Sequence, residues 1–168
     1  MAEKLSLRDY QRDLAERLRA AEGSRSSSML ALQVGEQGWL VDLADAGEVI
    51  HVPPITAVPL TRAWFKGVTN IRGNLYSVVD FPAFLGGSPV VVGEQSRLLL
   101  IGERFRMGSA LLVDRSLGLR NPAQLTPRPK SSQSPWIKAE YADQDERTWM
   151  ELDVPQLVQQ QDFLGVAA

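Results

Sequence analysis

The chain has no cysteine and a single histidine among its 168 residues. The first absence removes disulfides, thiolate nucleophiles and thiolate-ligated metals. The second leaves His51 alone between Ile50 and Val52. It reads as a strand-end imidazole, because a triad or a metal site needs further partners in a tight cluster. There is no excess of positive charge either. Eighteen Lys and Arg face 20 Asp and Glu, for a net charge of −2, which argues against general nucleic-acid binding. Long apolar runs are also missing. The longest uncharged stretch, Phe81 to Gly93, is broken by Pro82, Gly86, Gly87 and Pro89 and is too short to span a bilayer. The N-terminus carries mixed charges and no apolar core of signal-peptide length. These absences predict a cytoplasmic chain without direct membrane insertion. Gly35-Glu36-Gln37-Gly38 has neither the spacing nor the Lys-Ser/Thr of a phosphate loop, so no cofactor is expected.

What is present predicts a mostly β protein with a helical extension. Residues 5–22 carry an apolar stripe of Leu7, Tyr10, Leu14, Leu18 and Ala21 at helical steps, behind a Ser6/Asp9 cap. Gly23 and Ser24 to Ser28 read as a helix stop and linker. After Met29 short strand-like segments follow closely: 29–34, 39–43, 48–52, 67–72, 75–80, 97–102, 106–113, 136–142 and 147–152. Gln37-Gly38, Gly73-Asn74 and 142–146 are the expected hairpin turns. Short helices are expected at 61–66, 82–85 and 154–160. Residues 86–96 are the expected break between two halves, and 121–135, rich in Pro, Ser, Lys and Arg, an exposed loop. The expected organisation is thus a helical extension over 1–27, a β domain over 28–162 and a tail over 163–168.

Val41-Asp42, Val79-Asp80, Val113-Asp114 and Leu152-Asp153 each end a strand-like run with an apolar residue and an Asp. The echo fits a duplicated barrel, or only the habit of Asp as a strand terminator. Such carboxylates would be the sole material for acid–base work, as in a small hydrolase. The acidic run Asp143, Asp145, Glu146 lacks the pattern of a calcium loop and reads as a solvated turn. An OB-like barrel binding single-stranded nucleic acid would need exposed aromatics among basic residues. Trp39, Phe65, Phe81 and Phe84 sit instead in apolar settings and read as core.

The most informative stretch is Trp64-Phe65-Lys66-Gly67-Val68-Thr69-Asn70-Ile71-Arg72-Gly73, followed by Val78-Val79-Asp80 and Phe84-Leu85-Gly86. With Gly47-Glu48-Val49-Ile50, Pro59, the Gly108 to Asp114 strand and Leu152-Asp153, it resembles the CheW family of bacterial chemotaxis coupling proteins over residues 28–160. Leu40 to Val49 and Trp64 to Gly67 are most similar to the branch serving type IV pili and twitching motility, the PilI type. Ser77 stands where many chemotaxis members have proline.

The resemblance implies two packed, SH3-like, five-stranded β-barrels and a non-enzymatic adaptor. Its partners would be the regulatory domain of a CheA-type histidine kinase and a chemoreceptor's cytoplasmic tip. It also implies that Arg72 lies by the groove between the barrels and meets the receptor, or else pairs internally with Asp80. Glu48 matches a position beside receptor and kinase contacts, or is an exposed strand charge. Val49 lies in the same matched run. Gly67, Asn70 and Gly73 are contacts or turn formers; Val68, Ile71 and Val113 line an apolar groove or pack in the core.

Overall fold

A computed structural model describes residues 11–17 and 28–168. Residues 11–17 are helical (α1) and exposed throughout; the rest of the expected 5–22 helix lies outside the described residues. The chain then runs β1 (Met29–Val34), β2 (Gln37–Asp42), β3 (Ala46–His51), β4 (Phe65–Ile71), β5 (Asn74–Asp80), α2 (Phe81–Phe84), β6 (Arg97–Ile101), β7 (Ser109–Val113), β8 (Arg115–Arg120), β9 (Thr126–Arg128), β10 (Ile137–Ala142), β11 (Thr148–Leu152), α3 (Val154–Leu157) and α4 (Gln161–Leu164).

The strands form two sheets, ordered β3-β6-β7-β5-β4 and β8-β1-β2-β11-β10-β9. In each, two hairpins meet along a parallel pair: β5 beside β7, and β11 beside β2. The expected break at 86–96 joins α2 to β6 inside the five-stranded sheet. The chain crosses between sheets after β2 and after β7 instead, so the six-stranded sheet takes its strands from both ends of the sequence. Each sheet curls back on itself through the continuation of a single strand. Beyond β3, Thr56 exchanges backbone hydrogen bonds of 2.8 and 2.9 Å with Val68 on β4. Beyond β8, β9 pairs with β10.

Burial follows the strand period. Leu30, Leu32, Val34, Trp39 and Val41 of one sheet meet Val79, Phe81, Leu99, Leu111 and Val113 in a shared core. The alternate residues fill each sheet's own concavity: Val78, Leu98, Leu100 and Leu112 in one, Met29, Ala31, Leu40 and Trp149 in the other. Strands used on both faces must be apolar on both, which is why β6 and β7 read Arg-Leu-Leu-Leu-Ile and Ser-Ala-Leu-Leu-Val. Each fully buried Leu or Phe contributes roughly 1.5–3 kcal/mol. Trp39 and Phe81 meet edge-on at 5.1 Å, and both are core residues, as are the half-buried Phe65 and Phe84 packed against them.

The two sheets repeat one hairpin. Trp64-Phe65-Lys66 and Trp136-Ile137-Lys138 open β4 and β10, and both ladders slip register around that lysine. The backbone N–H of Asp80 donates to Trp64 O at 2.8 Å, and that of Asp153 to Trp136 O at 2.7 Å. Asp80 and Asp153 then cap α2 and α3, with Pro82 and Pro155 in the first turns. For Asp80 and Asp153 the echo is therefore a structural repeat.

Several local expectations change. Residues 61–66 are not helical: Thr61 bridges to Ala167, and β4 begins at Phe65. The tail is held in the fold, with Phe163 buried and Arg62 Nε donating to Gly165 O at 2.8 Å. The β1–β2 turn is Gly35-Glu36, two residues before the expected Gln37-Gly38. Residues 121–135 contain a 3-10 turn, Pro122–Gln124, and β9 rather than loop alone.

Candidate functional site

The β4–β5 hairpin turns on Arg72 and Gly73, between the paired Ile71 and Asn74. Both turn residues have positive φ, 52° and 85°, as a type I′ connection requires. The expected turn Gly73-Asn74 is thus displaced by one residue, and Arg72 itself takes a left-handed conformation that side chains rarely adopt. Asn70 holds the tip, its Oδ1 accepting from Gly73 N at 2.9 Å. From this tip the Arg72 guanidinium reaches β3 and pairs with the Glu48 carboxylate. The hydrogen bond that Arg72 donates to Glu48, and then the charge of that carboxylate, hold the guanidinium still more firmly protonated. The two side chains are 67% and 49% exposed, so the pair adds little to stability and stays open to a partner.

Beneath the pair lies a cleft of about 300 Å³, with Gly47, Ile71, Tyr76, Leu100 and Ile101 in its walls. It runs into a second hollow of about 290 Å³ that shares Tyr76 and Ile101 and extends to Leu75 and Met107. Leu75 is 66% exposed at the hairpin tip. Glu48 and Arg72 at one end, Glu103 where the two hollows join and Arg106 at the other end give the groove a charged rim. An apolar floor inside a polar rim is the anatomy of a protein-binding surface.

Arg72 does not pair with Asp80. That carboxylate is fully buried, faces Lys66 Nζ at 3.4 Å, and accepts from Ala83 N at 3.1 Å and Val90 N at 3.0 Å. Nor does Arg72 line the groove between the sheets. That groove, about 480 Å³, is bounded by Val34, Glu36, Pro82, Leu85 and Ser88. Of the other sequence candidates, Val113 is fully buried and Ile71 nearly so. Val49 is half-buried and packs on the shared core. Val68 bonds to Thr56. Gly67 has φ 130°, and a Cβ there would lie 1.9 Å from Thr56 O; its role is to let two backbones touch. Sequence reading missed Leu75, Tyr76, Glu103, Arg106 and Met107. Residues 106–108 were expected in a strand, but β7 starts only at Ser109, which frees the preceding turn to line the groove.

The strand-end carboxylates serve the backbone. Asp42 Oδ1 accepts from Ala44 N at 2.8 Å, Asp114 Oδ2 from Gly35 N at 2.6 Å and Asp153 Oδ1 from Gln156 N at 3.0 Å. Asp143 organises the β10–β11 turn. Its carboxyl lies below the usual range, chiefly through the Trp149 indole N–H; burial opposes this, and the Arg147 and Asp145 N–H groups assist. His51 is exposed at the end of β3, opposite Arg97. Among the described residues no group of three or more His, Asp or Glu could hold a metal, and no helix is long and apolar enough to cross a membrane.

The site is thus a charge-rimmed groove on one of two curled sheets, with strand-end carboxylates that hold backbone N–H groups. The chain belongs to the CheW-like domain family, whose model matches residues 28–162. It is 31% identical to Protein PilI of Pseudomonas aeruginosa over 152 residues, 87% of this chain and 83% of that protein. It is also 31% identical to the chemotaxis protein CheW of Thermotoga maritima over 100 residues, 59% of this chain and 64% of that one. The crystal structure of the scaffolding protein TtCheW from Thermoanaerobacter tengcongensis superposes with a TM-score of 0.63 at 18% identity, covering 76% of this chain and 89% of that one.

Proposed function

We propose that this protein is a non-enzymatic, cytoplasmic adaptor that couples a chemoreceptor to a CheA-type histidine kinase in the control of type IV pilus twitching motility. The similarity to PilI along most of the chain is the observation that carries this reading. The groove at the β4–β5 tip supports it, because it offers charge at the rim and apolar surface on the floor without a reactive group. In this reading the receptor's cytoplasmic tip engages Arg72, Glu48 and the exposed Leu75. The kinase's regulatory domain docks elsewhere on the barrels. No cofactor, nucleic acid or membrane insertion is involved.

Calorimetry with the cognate kinase regulatory domain and, separately, a soluble receptor tip tests both halves. Binding to each is expected. Arg72→Ala is expected to keep the melting temperature and kinase affinity while weakening the receptor tenfold or more, as loss of an interfacial charge-assisted contact does. No kinase binding at high micromolar protein overturns the adaptor reading. Unchanged receptor affinity in Arg72→Ala removes that residue from the contact.

A further inference from the structure

We propose a second binding site, for a phosphate-class anion, where the two sheets meet at Arg97 and Arg115. A concavity of about 250 Å³ there is lined by Gln95, Arg97, Arg115 and Ser116. Arg97 opens β6 of the five-stranded sheet and Arg115 opens β8 of the six-stranded one, so the site spans the second crossing of the chain between sheets. It shares no residue with the groove around Arg72 and Glu48.

Both guanidinium groups are oriented by neutral acceptors. Arg97 Nη1 donates to Glu94 O at 2.6 Å and to Ser96 O at 2.8 Å. Arg115 Nη2 donates to Gln33 Oε1 at 3.2 Å, and the same oxygen accepts from Arg147 Nη2 at 3.2 Å. A carbonyl fixes the plane of a guanidinium but leaves its charge uncompensated. Among the described ion pairs none uses Arg97, Arg115 or Arg147. The adjacent acid, Asp114, turns one carboxylate oxygen to Gly35 N at 2.6 Å and takes part in none of these ion pairs. In a chain of net charge −2, two oriented arginines outside any described ion pair line one hollow, and Arg147 shares the Gln33 acceptor of one of them. Arg97 and Arg115 face the hollow with donors still free, and the Gln95 amide and Ser116 hydroxyl complete a lining rich in donors. Planar, pre-oriented guanidinium groups match the oxygens of phosphate and are more weakly hydrated than lysine ammonium. A bound dianion would also relieve the mutual repulsion of the arginines.

The test is a titration of the full chain with inorganic phosphate at low ionic strength, followed by arginine Nε–Hε resonances and calorimetry. Saturable shifts at Arg97 and Arg115 are expected. Arg97→Gln and Arg115→Gln should each weaken binding about tenfold or more, whereas Arg128→Gln, at a surface pair with Glu146 on the far hairpin, should not. Both affected side chains are at the surface, and melting curves of the variants are expected to overlay wild type. A phosphoserine peptide with neutral flanks, titrated in parallel, separates the two sources of this chemistry. Tighter binding of phosphate points to a free anion, tighter binding of the peptide to a phosphorylated chain, and either supports the site. Non-saturable shifts, or equal weakening by Arg128→Gln, overturn it in favour of diffuse charge attraction.

Discussion

The hairpin of β4 and β5 and the hairpin of β10 and β11 are built alike and used differently. Thr69 pairs with Tyr76 in the first as Tyr141 pairs with Trp149 in the second. Tyr76 is half-buried and forms one wall of an open cleft. Trp149 is fully buried, has the guanidinium groups of Arg120 and Arg147 over its ring at 4.4 and 4.9 Å, and donates its indole N–H to Asp143 at 3.0 Å. Gly38 makes room for that ring, since a Cβ there would sit 2.5 Å from it. At the first mouth the cleft opens beside a two-residue turn; at the second an indole fills the interior next to a polar hollow of about 240 Å³ lined by Arg120, Asn121, Gln124 and Asp143. A repeated scaffold can thus present two different ends by changing the filling rather than the backbone.

Gly67 offers the harshest way to break this comparison, because its counterpart in the second hairpin is Ala139. Gly67→Ala forces a methyl into Thr56 O at a backbone angle side chains avoid, and is expected to cost at least about 4 kcal/mol. Ala139→Gly should cost no more than about 1 kcal/mol. Urea denaturation of the two variants measures the contrast, and equal losses would deny that Gly67 is what lets the segment at Thr56 reach β4.

A smaller effect separates the two mouths. Trp149→Phe removes ring volume and the hydrogen bond to Asp143, for an expected loss of about 2 kcal/mol. Tyr76→Phe should stay within about 0.5 kcal/mol, as changes at half-exposed positions usually do. If both melt alike, the second mouth is not filled in the sense described.

Acid sensitivity should also be one-sided. Burial pushes the Glu140 carboxyl upward. The Ser131 N–H and hydroxyl and the Ser132 N–H outweigh it, so Glu140 sits below the ordinary glutamate value of about 4.3. A depressed carboxylate contributes its full stability above the unfolded value and loses it as pH falls through the folded one. Asp143 follows the same sign. Hydrogen exchange at falling pH, below about 4, is therefore expected to open residues 126–152 before residues 65–80, and Glu140→Gln to flatten that dependence.

The mildest change is Arg72→Asn. Asparagine tolerates the left-handed turn better than arginine, so the melting temperature should hold or rise slightly although the Glu48 pair is lost. A clear fall would mean the pair braces the fold.

Much of this was legible in sequence. Strand positions follow from short apolar runs between turn residues, and α2 from Asp80 ahead of Pro82. The hairpin tip was misplaced by one residue because Gly73-Asn74 is the commoner pair for positive φ, and an arginine there is set by the ladder around it. β8 was missed because a slip opposite Ala31 and Leu32 and Gly118 at φ 81° interrupt its alternation. Pro127 hides β9. The repeat had a readable signal beyond its aspartates, the Trp-x-Lys that opens each hairpin. Nothing local could tell that β1 and β2 complete a sheet finished more than a hundred positions later. Residues such as Leu75 and Met107 gained meaning only when the turns around them were placed.

That distant pairing sets an order of events during synthesis. Strands β3 to β7 are contiguous in the chain and can associate as soon as Val113 has been made. The β1–β2 hairpin, made first, must wait for Trp149 to Leu152 to lie alongside Gly38 to Val41. Until then its apolar residues have half a barrel to cover them, and pairings this remote in sequence form slowly. Strand β2 thus meets its second neighbour long after its first, and a nascent chain halted before residue 149 would hold the five-stranded sheet and a β8-β1-β2 piece whose open edge still waits for β11.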